Sequence, residues 1–267
     1  MNRIKKIIKI LKWNFQLSRI RYVDSDDAYN FDLFSKILII VPHADDELIG
    51  CYHLLKKYKD KITLFFCNYV GTNDDENNKL TREKEFIEFC KSNDLRFIIS
   101  NNVNNDLKSY LSNNNVDLIL LTPLIDWHEE HRRVNDILYH LLQSSIYKGY
   151  IGWYQISVPL LESNVKIRFT RNDKKEMEKD FVYYYPSQSN LPIQRFNINR
   201  KIYSKNRLFF FYENYYIFSK NTFEIFFKNY KKADIQKIND LKQYINHINV
   251  LNFKSKSLYE KIILGGK

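Results

Sequence analysis

KILIIVPHADDELIG, residues 36–50, decides how this chain folds. Lys36–Pro42 is short, apolar and rich in isoleucine, and reads as a buried strand. A helix is expected over Asp46–Tyr58, so the polar cluster between them sits where a strand ends and a helix begins. The same alternation recurs outward from this point. Further strands are expected at Ile62–Cys67, Leu95–Ser100 and Asp117–Leu121. Helices are expected from Thr81, as cap, to about Asn93, at Asn104–Leu111 and at His128–Leu142. Thr72–Asn78 and residues 113–115 carry turn chemistry. Strands alternating with helices at this spacing imply an α/β fold: a doubly wound, mostly parallel sheet covered on both faces. After Tyr150 the pattern changes to a C-terminal α+β extension. Its expected elements are a strand at Trp153–Leu160, a helix at Lys174–Tyr183, an aromatic strand at Arg207–Phe218, and one helix over Asp234–Leu251 capped by Asp234.

Composition removes several classes. Of 267 residues, 44% are apolar and 27% charged, enough for a core and against a disordered chain. Six glycines and five prolines exclude collagenous and low-complexity designs. Cys51, Cys67 and Cys90 are an odd number without a Cys-x-x-Cys pair, which argues against a disulfide framework or a thiolate zinc site and fits a reducing, cytoplasmic setting. No apolar run is long enough to span a membrane. Lysines at 5, 6, 9 and 12 break up any signal-peptide core.

The net charge of +11 first points to an anionic partner. Its distribution changes that reading. Residues 1–22 hold seven basic and no acidic residues, residues 23–189 hold 20 basic and 26 acidic, and residues 190–267 hold 15 basic and five acidic. The middle of the chain is acidic and both ends are basic, which argues against a nucleic-acid groove on the folded body. Within residues 1–22, Ile4, Ile7, Ile8, Leu11 and Phe15 recur at helical spacing, with the lysines mostly elsewhere on the wheel. This segment reads either as an amphipathic helix in peripheral contact with an anionic membrane or as a surface helix docked on its own domain.

Two clusters carry chemistry. Pro42–Glu47 (PHADDE) follows the first strand, and Asp126–His131 (DWHEEH) follows the fourth. In a sheet of order 3-2-1-4-5 those strands are neighbours, and the crevice outside their carboxyl ends is the usual ligand site. His43 and Asp46 are three apart, as are His128 and His131, so each pair can aim at one point. Imidazole and carboxylate donors suit zinc, and three of these four plus water would make an open site. Asp45 then remains as a general base and a spare imidazole as acid or carbonyl polariser.

At these residues the chain resembles the zinc-dependent N-acetylglucosaminyl deacetylase family, which includes N-acetylglucosaminyl-phosphatidylinositol deacetylase and LmbE-like bacterial proteins. The family's His-Pro-Asp-Asp-Glu stands here as residues 43–47, with Ala44 for proline. Its Asp-x-His-Pro-Asp-His-Arg stands as residues 126–132, with Glu130 for aspartate. Arg82 with Glu85, and Tyr185-Pro186-Ser187-Gln188, resemble further family motifs, so the likeness spans about residues 36–189. It implies a Rossmann-like catalytic domain over residues 31–189, between a basic helix at 1–30 and a basic, aromatic-rich extension at 190–267 packed on the same domain. It implies Zn²⁺ on His43, Asp46 and His131, Asp45 as base, and His128 as oxyanion stabiliser or acid. Arg82 would bind substrate, and either Glu130 or Asp126 would orient His128. The implied reaction is removal of acetyl from an N-acetylated amino sugar, small or lipid-linked. The competing expectation is a non-enzymatic, peripheral protein for anionic membrane or nucleic acid with a relic metal site.

Overall fold

The computed structural model describes residues 3–20, 30–69, 76–144, 147–160, 163–202 and 210–265. Most of the Thr72–Asn78 turn and the start of the Arg207–Phe218 strand lie outside them. The elements run α1 (Arg3–Ser18), β1 (Ile37–Val41), α2 (Asp46–Tyr58), β2 (Ile62–Phe66), α3 (Glu76–Ser92), β3 (Arg96–Ile99), α4 (Val103–Asn113), β4 (Leu118–Leu121) and α5 (Glu129–Gln143). There follow β5 (Tyr150–Tyr154), β6 (Val165–Phe169), α6 (Arg171–Tyr184), α7 (Ile193–Asn199), β7 (Phe211–Ser219), α8 (Lys220–Tyr230), α9 (Ile235–Asn239) and α10 (Ile248–Leu264).

The strands form one sheet of order β3-β2-β1-β4-β5-β7-β6. β1 to β5 pair in parallel, and β7 runs antiparallel to both β5 and β6. The 3-2-1-4-5 order expected from the alternation is present. β1 shows why the sheet is covered on both faces. Ile37, Ile39 and Val41 pack with α2 and α3 residues such as Leu48 and Phe86, whereas Leu38 and Ile40 pack with α4 and α5 residues such as Leu107 and Val134. Alternate residues of a strand point to opposite faces, so a strand apolar throughout must be buried on both. β7 draws the C-terminal segment into the same sheet.

Three expectations need correction. α3 begins at Glu76, so Thr81 is interior; its Oγ1 donates to the Asn77 carbonyl four residues back, at 2.9 Å. The strand expected at Trp153–Leu160 is instead Tyr150–Tyr154. Ile156, Val158 and Leu160 are buried without being strand, and their alternation imitates one. The single helix expected over Asp234–Leu251 is broken. Asp234 does cap α9 through Gln236 N–H, but a 3-10 turn, Asp240–Tyr244, intervenes before α10. The first residue of α10, Ile248, donates its N–H to Gln16 Oε1 of α1 at 2.8 Å, a cap supplied from the far end of the chain. β6, α7 and α8 have no counterpart among the expected elements.

The helix behind the first motif is shaped by two distant residues. A Cβ on Gly50 would come within 2.3 Å of the Tyr154 ring, so only glycine lets α2 lie this close to β5. Cys51 next to it leaves helical geometry (φ −135°, ψ 16°), and the helix restarts with free N–H groups. Glu213 of β7 accepts from two of these, His53 N at 2.8 Å and Leu54 N at 3.1 Å, and from Tyr215 Oη at 2.9 Å. Glu213 is therefore an internal helix cap, 1% exposed. Glu213→Ala orphans both amides and should cost about 2–4 kcal/mol, measured as a shift in the urea midpoint.

Candidate active site

The first motif forms a strained turn between β1 and α2. Asp45 has φ 117°, in the left-handed half of the map that side chains other than glycine rarely enter. Its N–H donates to Glu47 Oε2 at 3.3 Å, and the His43 N–H donates to Asp46 Oδ2 at 3.0 Å. Strain of this kind persists where the surroundings enforce it, and it aims Asp45 and Asp46 at one cavity. The enforcing group is Glu47, which is fully buried and accepts from Tyr185 Oη. Burial pushes the Glu47 carboxyl up to about 7 despite that hydrogen bond.

The second motif is anchored just as firmly. Thr122 Oγ1 and Asn135 Nδ2 both donate to the His131 carbonyl, at 2.9 and 3.1 Å, fixing the first turn of α5 against the end of β4. The Asp126 carboxylate, 0% exposed, receives the His128 N–H at 3.0 Å and faces His131 Nδ1 at 3.0 Å. Arg132 closes the loop by donating to the Asp126 carbonyl and to Asn239 Oδ1, the latter at 2.9 Å.

His43 Nδ1, Asp46 Oδ2 and His131 Nε2 meet in a triangle. Its sides are 3.3 Å for His43 to Asp46, 3.2 Å for His131 to Asp46 and 3.1 Å between the two nitrogens. The residue group qualifies as a metal-ligand set. The donor chemistry fits too. With the His131 proton on Nδ1, the side that faces Asp126, its Nε2 lone pair points at a carboxylate oxygen that can only accept. A cation must lie among these atoms, either a proton or a metal ion. Tetrahedral zinc with bonds of about 2.0 Å needs donor atoms roughly 3.3 Å apart, close to the sides of this triangle. Electrostatics agree. Burial would lower the His131 imidazole, but the Asp46 and Asp126 charges outweigh it and raise it well above its ordinary value. Burial would raise Asp46, but His131 and His43 hold it well below the usual carboxylate range.

Around this triangle lies a cavity of about 580 Å³. Asp45 lines it, 6% exposed. Burial pushes its carboxyl well above the usual range, Asp46 and Glu47 add to this, and Arg82 opposes it. The His128 ring stands 4.9 Å from that of His131 but contributes no atom to the triangle. It is open to solvent yet walled by protein on several sides, and that burial lowers its pKa to about 4. Arg82 also lines the cavity and is half-buried. With the Gln188 amide oriented by its surroundings, Gln188 oxygen accepts from Arg82 Nε at 2.8 Å and Nη2 at 3.0 Å. Glu85 accepts from Ser187 N and Oγ, at 2.8 and 2.6 Å.

Of the two orienting candidates, Asp126 is in contact, but with His131 and the His128 backbone; Glu130 lines the cavity. Sequence reasoning missed the wall from the C-terminal part: Phe196, Asn239 and Lys242. It also missed that Tyr185, Ser187 and Gln188 clamp Glu47, Glu85 and Arg82. The Tyr-Pro-Ser-Gln string was visible, but its partners were not. Asp126→Asn should weaken metal binding about 10–100-fold, read by competition with a chromogenic chelator.

No protein-family model and no curated protein matches the chain. Solved structures do. N,N'-diacetylchitobiose deacetylase from Pyrococcus horikoshii matches with TM-score 0.57 and 18% identity, over 82% of this chain and 94% of that one. The zinc-inhibited form of teicoplanin deacetylase Orf2 matches with TM-score 0.51 and 11% identity, over 70% and 99%. The conserved protein TT1542 from Thermus thermophilus matches with TM-score 0.51 and 16% identity, over 67% and 93%. At such identities the likeness concerns the fold, which this chain shares with the two deacetylases and with TT1542.

Proposed function

We propose that the protein is a zinc-dependent hydrolase that removes the acetyl group from an N-acetylated amino sugar and releases acetate. The observation that carries this reading is the convergence of His43, Asp46 and His131 on one point, beside a buried carboxylate that is not part of the triangle. Three protein donors leave a coordination position open, the arrangement of a catalytic rather than a structural zinc. The named activities of the structural neighbours, two of them deacetylases, lend it further support.

When bound, zinc supplies Lewis acidity toward the amide carbonyl and toward water. The rest falls to the chain. Asp45, on its strained turn, takes the proton from the attacking water. His128, neutral with its pKa at about 4, is the hydrogen-bond donor to the amide oxygen, and Asp45 passes the proton it took from water to the departing amine. Asp126 keeps His131 in the tautomer whose Nε2 faces inward. Trp127 and Phe196 offer apolar faces for the C–H side of a sugar ring, while Arg82 and Lys242 offer cationic groups for its substituents.

The test is acetate release from N-acetylglucosamine conjugates, free, nucleotide-linked and lipid-linked. Release that stops on chelation and returns with zinc supports the reading. A zinc-loaded protein that binds anionic vesicles or nucleic acid but hydrolyses none of these amides would favour the non-enzymatic alternative.

A further inference from the structure

α1 is apolar on two opposite sides. One side packs inward, where Trp13 and Leu17 meet Ile198, Ile202 and Ile248. The other carries Ile7, Ile8, Leu11 and Phe15, each 50–63% exposed. Their spacing of three and four residues sets them in one stripe along the helix. A helix that merely covers its own domain has a polar outer face. Single exposed apolar residues need no explanation, but a contiguous stripe of four large ones does. Lys5 and Lys12 are exposed beside the stripe, and the Arg19 guanidinium lies over the Phe15 ring, 4.5 Å from its centre.

The fold adds a second observation. α1 rests on α7 and α10, which both belong to the basic segment 190–267. The two basic ends of the chain are therefore gathered together. We propose that α1 is an interfacial helix that docks the protein on an anionic lipid bilayer. Its Ile7, Ile8, Leu11 and Phe15 enter the acyl boundary, and Lys5 and Lys12 meet the headgroups. Charge complementarity selects this occupant. A second copy of the chain would cover the stripe but bring like charges together, and a nucleic acid would use the cations and leave the stripe in water. α7 links this surface to the cavity: its Phe196 lines the cavity wall and its Ile198 packs on α1. In a docked protein only α1 itself and α7 would then lie between the lipid and the cavity wall. The proposal does not depend on the reaction proposed above.

The test is co-sedimentation of the full chain with phosphatidylcholine vesicles, with and without about 30% phosphatidylglycerol. Wild type should pellet with the anionic vesicles and stay in solution with the neutral ones. Leu11→Gln with Phe15→Gln should weaken binding at least about tenfold, and Lys5→Gln with Lys12→Gln should flatten its salt dependence. These side chains point away from the body, so thermal unfolding should match wild type. Phe15→Trp gives a direct readout, a blue shift of emission on anionic vesicles alone. Equal binding to both vesicle types, or undiminished binding by the Leu11→Gln, Phe15→Gln variant, would overturn the proposal. So would a dimer that this variant dissolves.

Discussion

Asp45→Asn is expected to give a folded protein that still takes up zinc but releases acetate about 10²–10⁴-fold more slowly. The reason lies in one turn. Asp45 has φ 117° and is 6% exposed, with Asp46 and Glu47 beside it. Asparagine tolerates left-handed backbone nearly as well as any residue but glycine, so the turn survives. It also removes one of three crowded acidic groups, so the melting temperature should hold or rise. Loss of rate without loss of stability or zinc separates a proton-transfer role from a structural one. The measurements are kcat, zinc content and thermal unfolding on the same preparation. A variant with unchanged kcat would remove Asp45 from the mechanism.

His131→Ala should be worse on every count. It removes one donor of the triangle and the partner of a fully buried carboxylate. Asp126 would keep only the His128 N–H at 0% exposure, and losing the charged member of a buried ion pair costs about 3–5 kcal/mol. Zinc content should fall far below one per chain and acetate release to background. His128→Ala provides the contrast. Its ring lies outside the triangle, so zinc should stay near one per chain while kcat falls, and the urea midpoint should move little because His128 is exposed. If His128→Ala lost zinc and His131→Ala kept it, the ligand assignment would be reversed.

How far the sequence reaches can be seen at particular residues. The parallel half of the sheet was legible because β1, β2 and β4 are buried on both faces and read as continuous apolar runs. The two motifs could be brought together on paper because topology sets the ends of β1 and β4 side by side, whereas the choice of His43, Asp46 and His131 from their residues rests on the family resemblance. The later elements were harder. Ile156, Val158 and Leu160 alternate like a strand because they are buried, although no described strand pairs with them. The helix expected over Asp234–Leu251 breaks near Asn239, whose side chain is committed to Arg132 across the fold. Glu213 looked like an ordinary strand acid. Its role as a cap for His53 and Leu54 depends on a kink at Cys51 that no local pattern announces. Nor does any spacing announce that the Asp126 carboxylate faces His131 instead of the His128 ring.

The most direct measurement is acetate release from an N-acetylglucosamine conjugate as zinc is added back to metal-stripped protein. The account predicts no release from the stripped protein, a linear rise, and a plateau at one zinc per chain, with Asp45→Asn binding the same single zinc and staying near zero. Release at full rate without metal, or equal rates for wild type and Asp45→Asn, would contradict it.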